Sequence, residues 1–242
     1  MRHLVLVLVL TAGCAAETPR PSSSDAPEPP LPDRVTCGNV AAPSFPLAML
    51  SQAGGVDPGE DAPAAVLHAL IRESEGLPDT GWIRAAQTED TVLFVARGGG
   101  VPWSMAVFSQ VDGIWNADRS GQCHLQPEVP DGVDLAVFRL APGVELTPEL
   151  TEVELRVSEL ACNSGRDARG RIQVLDLVPG GDTVTVILAT VPRPGAHDCP
   201  GNPETPFTLQ LPEPLGDRLL LDGSEVPPRD ATLCPARICP AP

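Results

Sequence analysis

The chain of 242 residues has no lysine and no tyrosine, and only 3% of it is aromatic. All 16 basic residues are arginine, set against 32 acids, for a formal charge of −16. A chain this poor in positive charge cannot neutralise a phosphate backbone, so nucleic acid is excluded as a partner. The same deficit opposes adhesion of the folded part to an anionic lipid surface. Absent lysine beside abundant Ala, Pro, Gly and Arg reflects genome composition rather than function. Scarce aromatic residues count against a carbohydrate or peptide site built on aromatic platforms. Histidine is rare as well, with His3, His68, His124 and His197 the full set.

Long apolar runs are also missing. The one at the N-terminus, Leu4–Leu10 behind Arg2, is far shorter than the roughly 20 residues that span a bilayer. Followed by Thr11-Ala12-Gly13-Cys14, it reads as a secretory signal over residues 1–13 that ends in a bacterial lipobox, although Thr11 stands where leucine is usual. Cleavage would leave Cys14 to carry acyl chains such as palmitate, each buried methylene adding about 0.8 kcal/mol to membrane binding. Residues 14–36 are rich in proline, serine and acid, with only Leu31 and Val35 as large apolar residues. Such a segment buries too little to offset its ordering entropy and reads as a lipid-anchored tether.

Six cysteines remain beyond Cys14: Cys37, Cys123, Cys162, Cys199, Cys234 and Cys239. An even number in an exported chain argues for three disulfides, for which sequence allows fifteen pairings. Proximity within the proposed domains favours Cys37–Cys123, Cys162–Cys199 and Cys234–Cys239. No CxxC pair supports zinc and no EF-hand spacing supports calcium, so no metal and no cofactor is expected.

Residues 37–130 read as an α+β domain, a helix packed on an antiparallel meander. The helix is expected to start after Asp61, with Pro63 in its first turn, Val66, Leu67, Leu70 and Ile71 as its apolar stripe and Gly76 past its end. Strands follow at about 82–88, 91–97, 103–111 and 114–118, the last two joined by the hairpin signal Asp112-Gly113. Gly98-Gly99-Gly100 lacks the lysine and serine of a phosphate loop. Residues 131–226 read as an antiparallel β-sandwich, with strands at about 133–140, 153–160, 171–177, 183–191, 207–211 and 218–221. Residues 227–242 read as a proline-rich disulfide tail.

The second half carries four phrases in order: Cys162-Asn-Ser-Gly-Arg166, Cys199-Pro-Gly-Asn-Pro203, Glu213-Pro-Leu-Gly-Asp-Arg218 and Asp222-Gly-Ser224. On these the last third of the chain resembles a group of secreted lipoproteins from high-G+C Gram-positive bacteria. That group has no assigned activity. The resemblance implies a secreted, disulfide-bonded β domain and carries over no functional residue.

Catalytic candidates are thin. Ser164, His197 and Asp167 make a triad on paper, without a nucleophile elbow. Acids cluster at Asp131–Asp134 and Glu145–Glu154, where paired carboxylates would serve glycoside hydrolysis and solvated strand faces are the plainer reading. A binding surface, if present, is expected on the loops of Asn163, Arg166 and Asn202, although glycine and asparagine there also suit ordinary turns. The expectation is a non-enzymatic module, lipid-anchored on the outer face of the cell membrane, with an unknown envelope protein or glycan as partner. The alternatives are a secreted hydrolase using loop carboxylates and an accessory or sensor subunit of an envelope complex.

Overall fold

The computed structural model describes residues 32–38, 42–52, 58–98 and 101–235. The signal, Cys14, most of the tether, Gly99-Gly100 and Cys239 lie outside them. The described chain is disulfide-bonded α+β, one helix against predominantly antiparallel sheet.

In the first unit the strands Trp82–Gln87 (β3), Thr91–Gly98 (β4), Val101–Val111 (β5) and Ile114–Gln122 (β6) form the expected meander in sequential order. Helix Ala62–Glu73 (α1) lies on one face of it. Asp61 caps the helix by accepting from the Ala64 N–H and also takes an ion pair from Arg84. Leu67 and Ala64 pack on Trp82, Val92, Phe94, Ala106 and Phe108, so alternate positions of β4 and β5 face the helix. The other phase, with Leu93, Val95, Met105 and Val107, is covered too. A three-stranded sheet covers it, formed by Arg34–Cys37 (β1), Phe45–Pro46 (β2) and Leu125–Pro127 (β7). That layer explains why β4 reads as an unbroken apolar run: both of its faces are buried. Strand β1 starts at Arg34, inside the segment expected to be tether, and Val35 is fully buried. Asp112 and Gly113 both take positive φ between β5 and β6, as a two-residue hairpin of this hand requires.

The second unit is a sandwich. Its strands are Asp134–Leu140 (β8), Glu152–Glu159 (β9), Ile172–Pro179 (β10), Thr183–Thr190 (β11), Thr205–Gln210 (β12), Leu219–Asp222 (β13) and Arg229–Asp230 (β14). Their order is β12-β9-β8-β11-β13-β14, with β10 also paired to β11, so the sandwich is one seven-stranded sheet wrapped over its own core. Along one edge β11 pairs in parallel with β13 through Thr183–Val186, then antiparallel with β8 through Leu188–Thr190. Among the described strands β11–β13 is the single parallel pair; all others are antiparallel. Phe138, Val153, Leu155, Val157, Val186, Leu188 and Leu209 fill the space between the layers.

Where β8 parts from β13, a charged pair completes the ladder. Asp222, 0% exposed, accepts the Phe138 N–H at 2.9 Å and the Ser224 N–H at 3.0 Å, and pairs with Arg229 at 2.7 Å. Arg229 in turn donates to the Phe138 carbonyl. Side chains thus supply both partners that the Phe138 backbone would take from a neighbouring strand. Arg229 and Asp230 sit in β14 and Ala231 in the core, so the folded unit continues into the expected tail.

The units touch: Val226 donates its N–H to the Leu125 carbonyl and packs on the core of the first unit. Disulfides join Cys37 to Cys123 and Cys162 to Cys199, as expected. Cys234 is also disulfide-bonded, and its expected partner Cys239 lies outside the described residues.

Candidate functional site

The two loops singled out from sequence meet at the Cys162–Cys199 bridge, whose Cα atoms are 4.6 Å apart. Asn163, Ser164, Gly165 and Arg166 form a tight turn closed by the Arg166 N–H on the Asn163 carbonyl, with Ser164 and Gly165 both at positive φ. Ser164 exchanges bonds with the facing loop. Its N–H goes to the Asp198 carbonyl at 2.9 Å, and its Oγ accepts the Asp198 N–H at 3.2 Å.

Beneath the turn lies Glu159, its side chain 2% exposed. The carboxylate takes both terminal nitrogens of Arg171, at 2.7 and 2.5 Å, and the Asn163 amide at 2.7 Å. Asn202, from the other loop, donates through Nδ2 to the carbonyls of Glu159 at 3.0 Å and Ala161 at 2.6 Å. Asn163 and Asn202 are therefore clamped on one point at the end of β9, while Arg166 is exposed. Bonding to Glu159 holds Arg171 above its ordinary pKa, and the two opposite charges offset each other in the buried site. A second bidentate pair, Arg139 with Glu204, stands nearby at 2.7 and 2.6 Å.

Between the end of β9 and the loop 199–204 is a cavity of about 380 Å³, lined by Ser158, Glu159, Ala161, Asn202, Glu204 and the disulfide among others. A second cleft, about 400 Å³, adjoins it at Leu160 and Ala161 and runs past Asp134 to Gln126 and Glu128 on the first unit. Burial, and then the charge of Glu159, push the Asp134 carboxyl above its usual value.

The paper triad is half assembled. Ser164 Oγ lies 3.5 Å from His197 Nδ1, but the other ring nitrogen of His197 meets the Arg193 carbonyl at 3.2 Å. Asp167 instead accepts the Arg169 N–H and pairs with Arg169. With a carbonyl in place of a carboxylate and Ser164 Oγ taken up by Asp198, the contact serves to tie loop to loop. His68 is exposed on α1, and His124 belongs to the first unit beside Cys123. Of the acid clusters, Asp131, Glu145, Glu149, Glu152 and Glu154 are exposed, with Glu154 accepting from Thr208. Among the described residues no group of three His, Cys, Asp or Glu side chains is placed to hold a metal ion. No helix is long and apolar enough to cross a membrane among them either.

The four sequence phrases all resolve into locks on turns. Asn163 and Asn202 act as above, Arg218 ties its own loop by bonding Glu213 and the carbonyls of Pro214 and Leu215, and Asp222 anchors Ser224. Sequence reading passed over Glu159. The signal was present: strand alternation puts it in phase with Val153, Leu155 and Val157, where a charge requires a partner. Compared with family models, curated proteins and solved structures, the chain matches none.

Proposed function

We propose that the protein is a lipid-anchored, extracytoplasmic, non-enzymatic module that presents the loop pair at Cys162–Cys199 to a partner in the cell envelope. The observation that carries this reading is the construction of that surface. A disulfide, a buried Glu159–Arg171 pair and two asparagine clamps hold two loops rigid beside a cavity, and none of these groups is arranged to do chemistry. Binding residues belong on loops fixed by a scaffold in this way. The disulfides fit an oxidising compartment outside the cytoplasm.

The signal and lipobox at Arg2–Cys14 support the anchor, and the −16 charge turns the folded part away from anionic headgroups, so attachment falls to acyl chains on Cys14. Changing Cys14 to Ala is expected to move the protein from the membrane pellet to the medium and to remove the acyl mass from its N-terminal peptide. Unchanged retention and mass would overturn the anchored reading.

A further inference from the structure

The two bridges whose cysteines are both described differ in setting. Cys37 is 0% exposed and Cys123 4%, and both belong to the packed core of the first unit. Cys37 is also held in β1, opposite Leu125 of β7. Cys162 and Cys199, by contrast, are both exposed. They stand outside the sheet, Cys162 beyond Glu159, the last residue of β9, and Cys199 ahead of Thr205, the first of β12. Both border the cavity of about 380 Å³ at the end of β9. Disulfide exchange begins when a thiolate reaches a sulfur, so access decides which bridge reacts in the folded protein. A bridge in solvent-facing loops is open to attack at once, whereas one in a packed core reacts when that core opens.

Opening the outer bridge has a confined effect. The base of each loop is tied independently, the Asn163 amide to the Glu159 carboxylate and the Asn202 amide to the carbonyls of Glu159 and Ala161. The tips are joined by less. Apart from the bridge, Ser164 and Asp198, both exposed, exchange two hydrogen bonds. Ser164 also meets His197 at 3.5 Å, and Pro200 approaches Gly165. Hydrogen bonds between exposed groups compete with water and contribute only modestly. The covalent link therefore keeps the two tips in one surface, and without it they part while the strands beneath stay paired.

We infer that Cys162–Cys199 is a redox switch on the loop pair, opened by a dithiol and closed by the same exchange in reverse with a disulfide as oxidant. One thiolate of the dithiol attacks a sulfur of the bridge, forms a mixed disulfide and expels the other cysteine as a thiolate. That thiolate takes up the proton the attacking thiol gave to water. The second thiol of the reagent, deprotonated in turn, displaces the remaining cysteine, which is protonated likewise. The dithiol ends as a disulfide, and this chain gains two electrons and two protons as two thiols. The inference rests on the reading of the loop pair as a recognition surface and names the regulation of that surface.

The test uses full-length protein in detergent with dithiothreitol as the dithiol, quenched at intervals with iodoacetamide and mapped by mass spectrometry. Cys162 and Cys199 are expected to be alkylated together, about tenfold or more faster than Cys37 and Cys123. At that stage the Ser164 and Asp198 N–H groups should lose exchange protection, β9 and β11 should keep theirs, and oxidised dithiothreitol should restore the starting pattern. Equal rates for the two bridges, or unchanged protection at Ser164 and Asp198 after reduction, would overturn the proposal. The second measurement is photo-crosslinking from position 166 in native membranes, with and without dithiothreitol, beside the double variant Cys162→Ser, Cys199→Ser. An adduct that reduction and the double variant both abolish is the expected result. An adduct that survives both would refute the switch and leave the binding-module reading standing, whereas no adduct in either state would overturn that reading and the switch with it.

Discussion

Arg229→Ala should be among the most damaging single substitutions in the second unit. It removes the one cation that pairs with Asp222 among the described residues, leaves that fully buried carboxylate without it, and withdraws a donor from the Phe138 carbonyl. Breaking a buried ion pair from one side costs about 3–5 kcal/mol, because the remaining charge stays desolvated. At about 2–4 °C per kcal/mol for a chain of this size, Tm should fall by about 6–20 °C. The loss should also depend on pH. Burial already pushes the Asp222 carboxyl upward against the pull of its two N–H donors and Arg229, and without Arg229 it rises further. A carboxyl whose pKa is higher folded than unfolded binds more protons in the folded state, so its stability contribution falls as pH rises through that window. Urea unfolding of wild type and variant at pH 5 and pH 8 reads both effects, with the larger deficit expected at pH 8. Replacing Asp222 as well should recover part of the loss, since no charge is then left buried. A cost below about 1 kcal/mol, typical of a surface ion pair, would refute the claim that this pair completes the split ladder.

Three further outcomes follow from the same structure. Replacing Cys162 and Cys199 by serine should cost about 4 kcal/mol through loop entropy and part the two loops, read as lost amide-exchange protection at the Ser164 and Asp198 N–H groups with protection retained in β4 and β5. Because Asp134 sits above its ordinary pKa, its own contribution to wild-type stability drops as pH rises from the usual carboxylate range through its raised value. Asp134→Asn lacks that drop, so its advantage over wild type should grow from pH 4 to pH 7; a constant or shrinking gap in urea midpoints would contradict the assignment. Fluorophosphonate reagents should leave Ser164 unlabelled, since its Oγ is engaged by Asp198 and His197 is oriented by a carbonyl; stoichiometric labelling would restore the hydrolase reading.

Elements with strong local signals were legible from sequence. Asp61 and the Val66–Ile71 stripe mark α1, and Asp112-Gly113 marks the β5–β6 turn. Most strands fell within two residues of their ends, although β6 extends from Ile114 to Gln122, past the expected stop at Asp118. The small sheet escaped because β1 and β2 are four and two residues long and sit in proline-rich surroundings, with Val35 and Phe45 as their core contributions. Strand β14 escaped for the same reason: Arg229 and Asp230 join the sheet by backbone pairing and leave no apolar pattern. The β11–β13 register is a long-range match that periodicity does not encode. At the site, Asn163 and Asn202 were found as turn formers, but their side chains turn inward as clamps, which only the placement of Glu159 explains.

We propose that the loops joined by Cys162–Cys199 form the recognition surface. A photo-crosslinking residue placed at the exposed Arg166, compared with one at the exposed Glu89 in the turn between β3 and β4, tests it in native membranes. A discrete, reproducible adduct is expected from position 166 and none from position 89. Equal labelling at both positions, or none at 166 across repeated preparations, would contradict it.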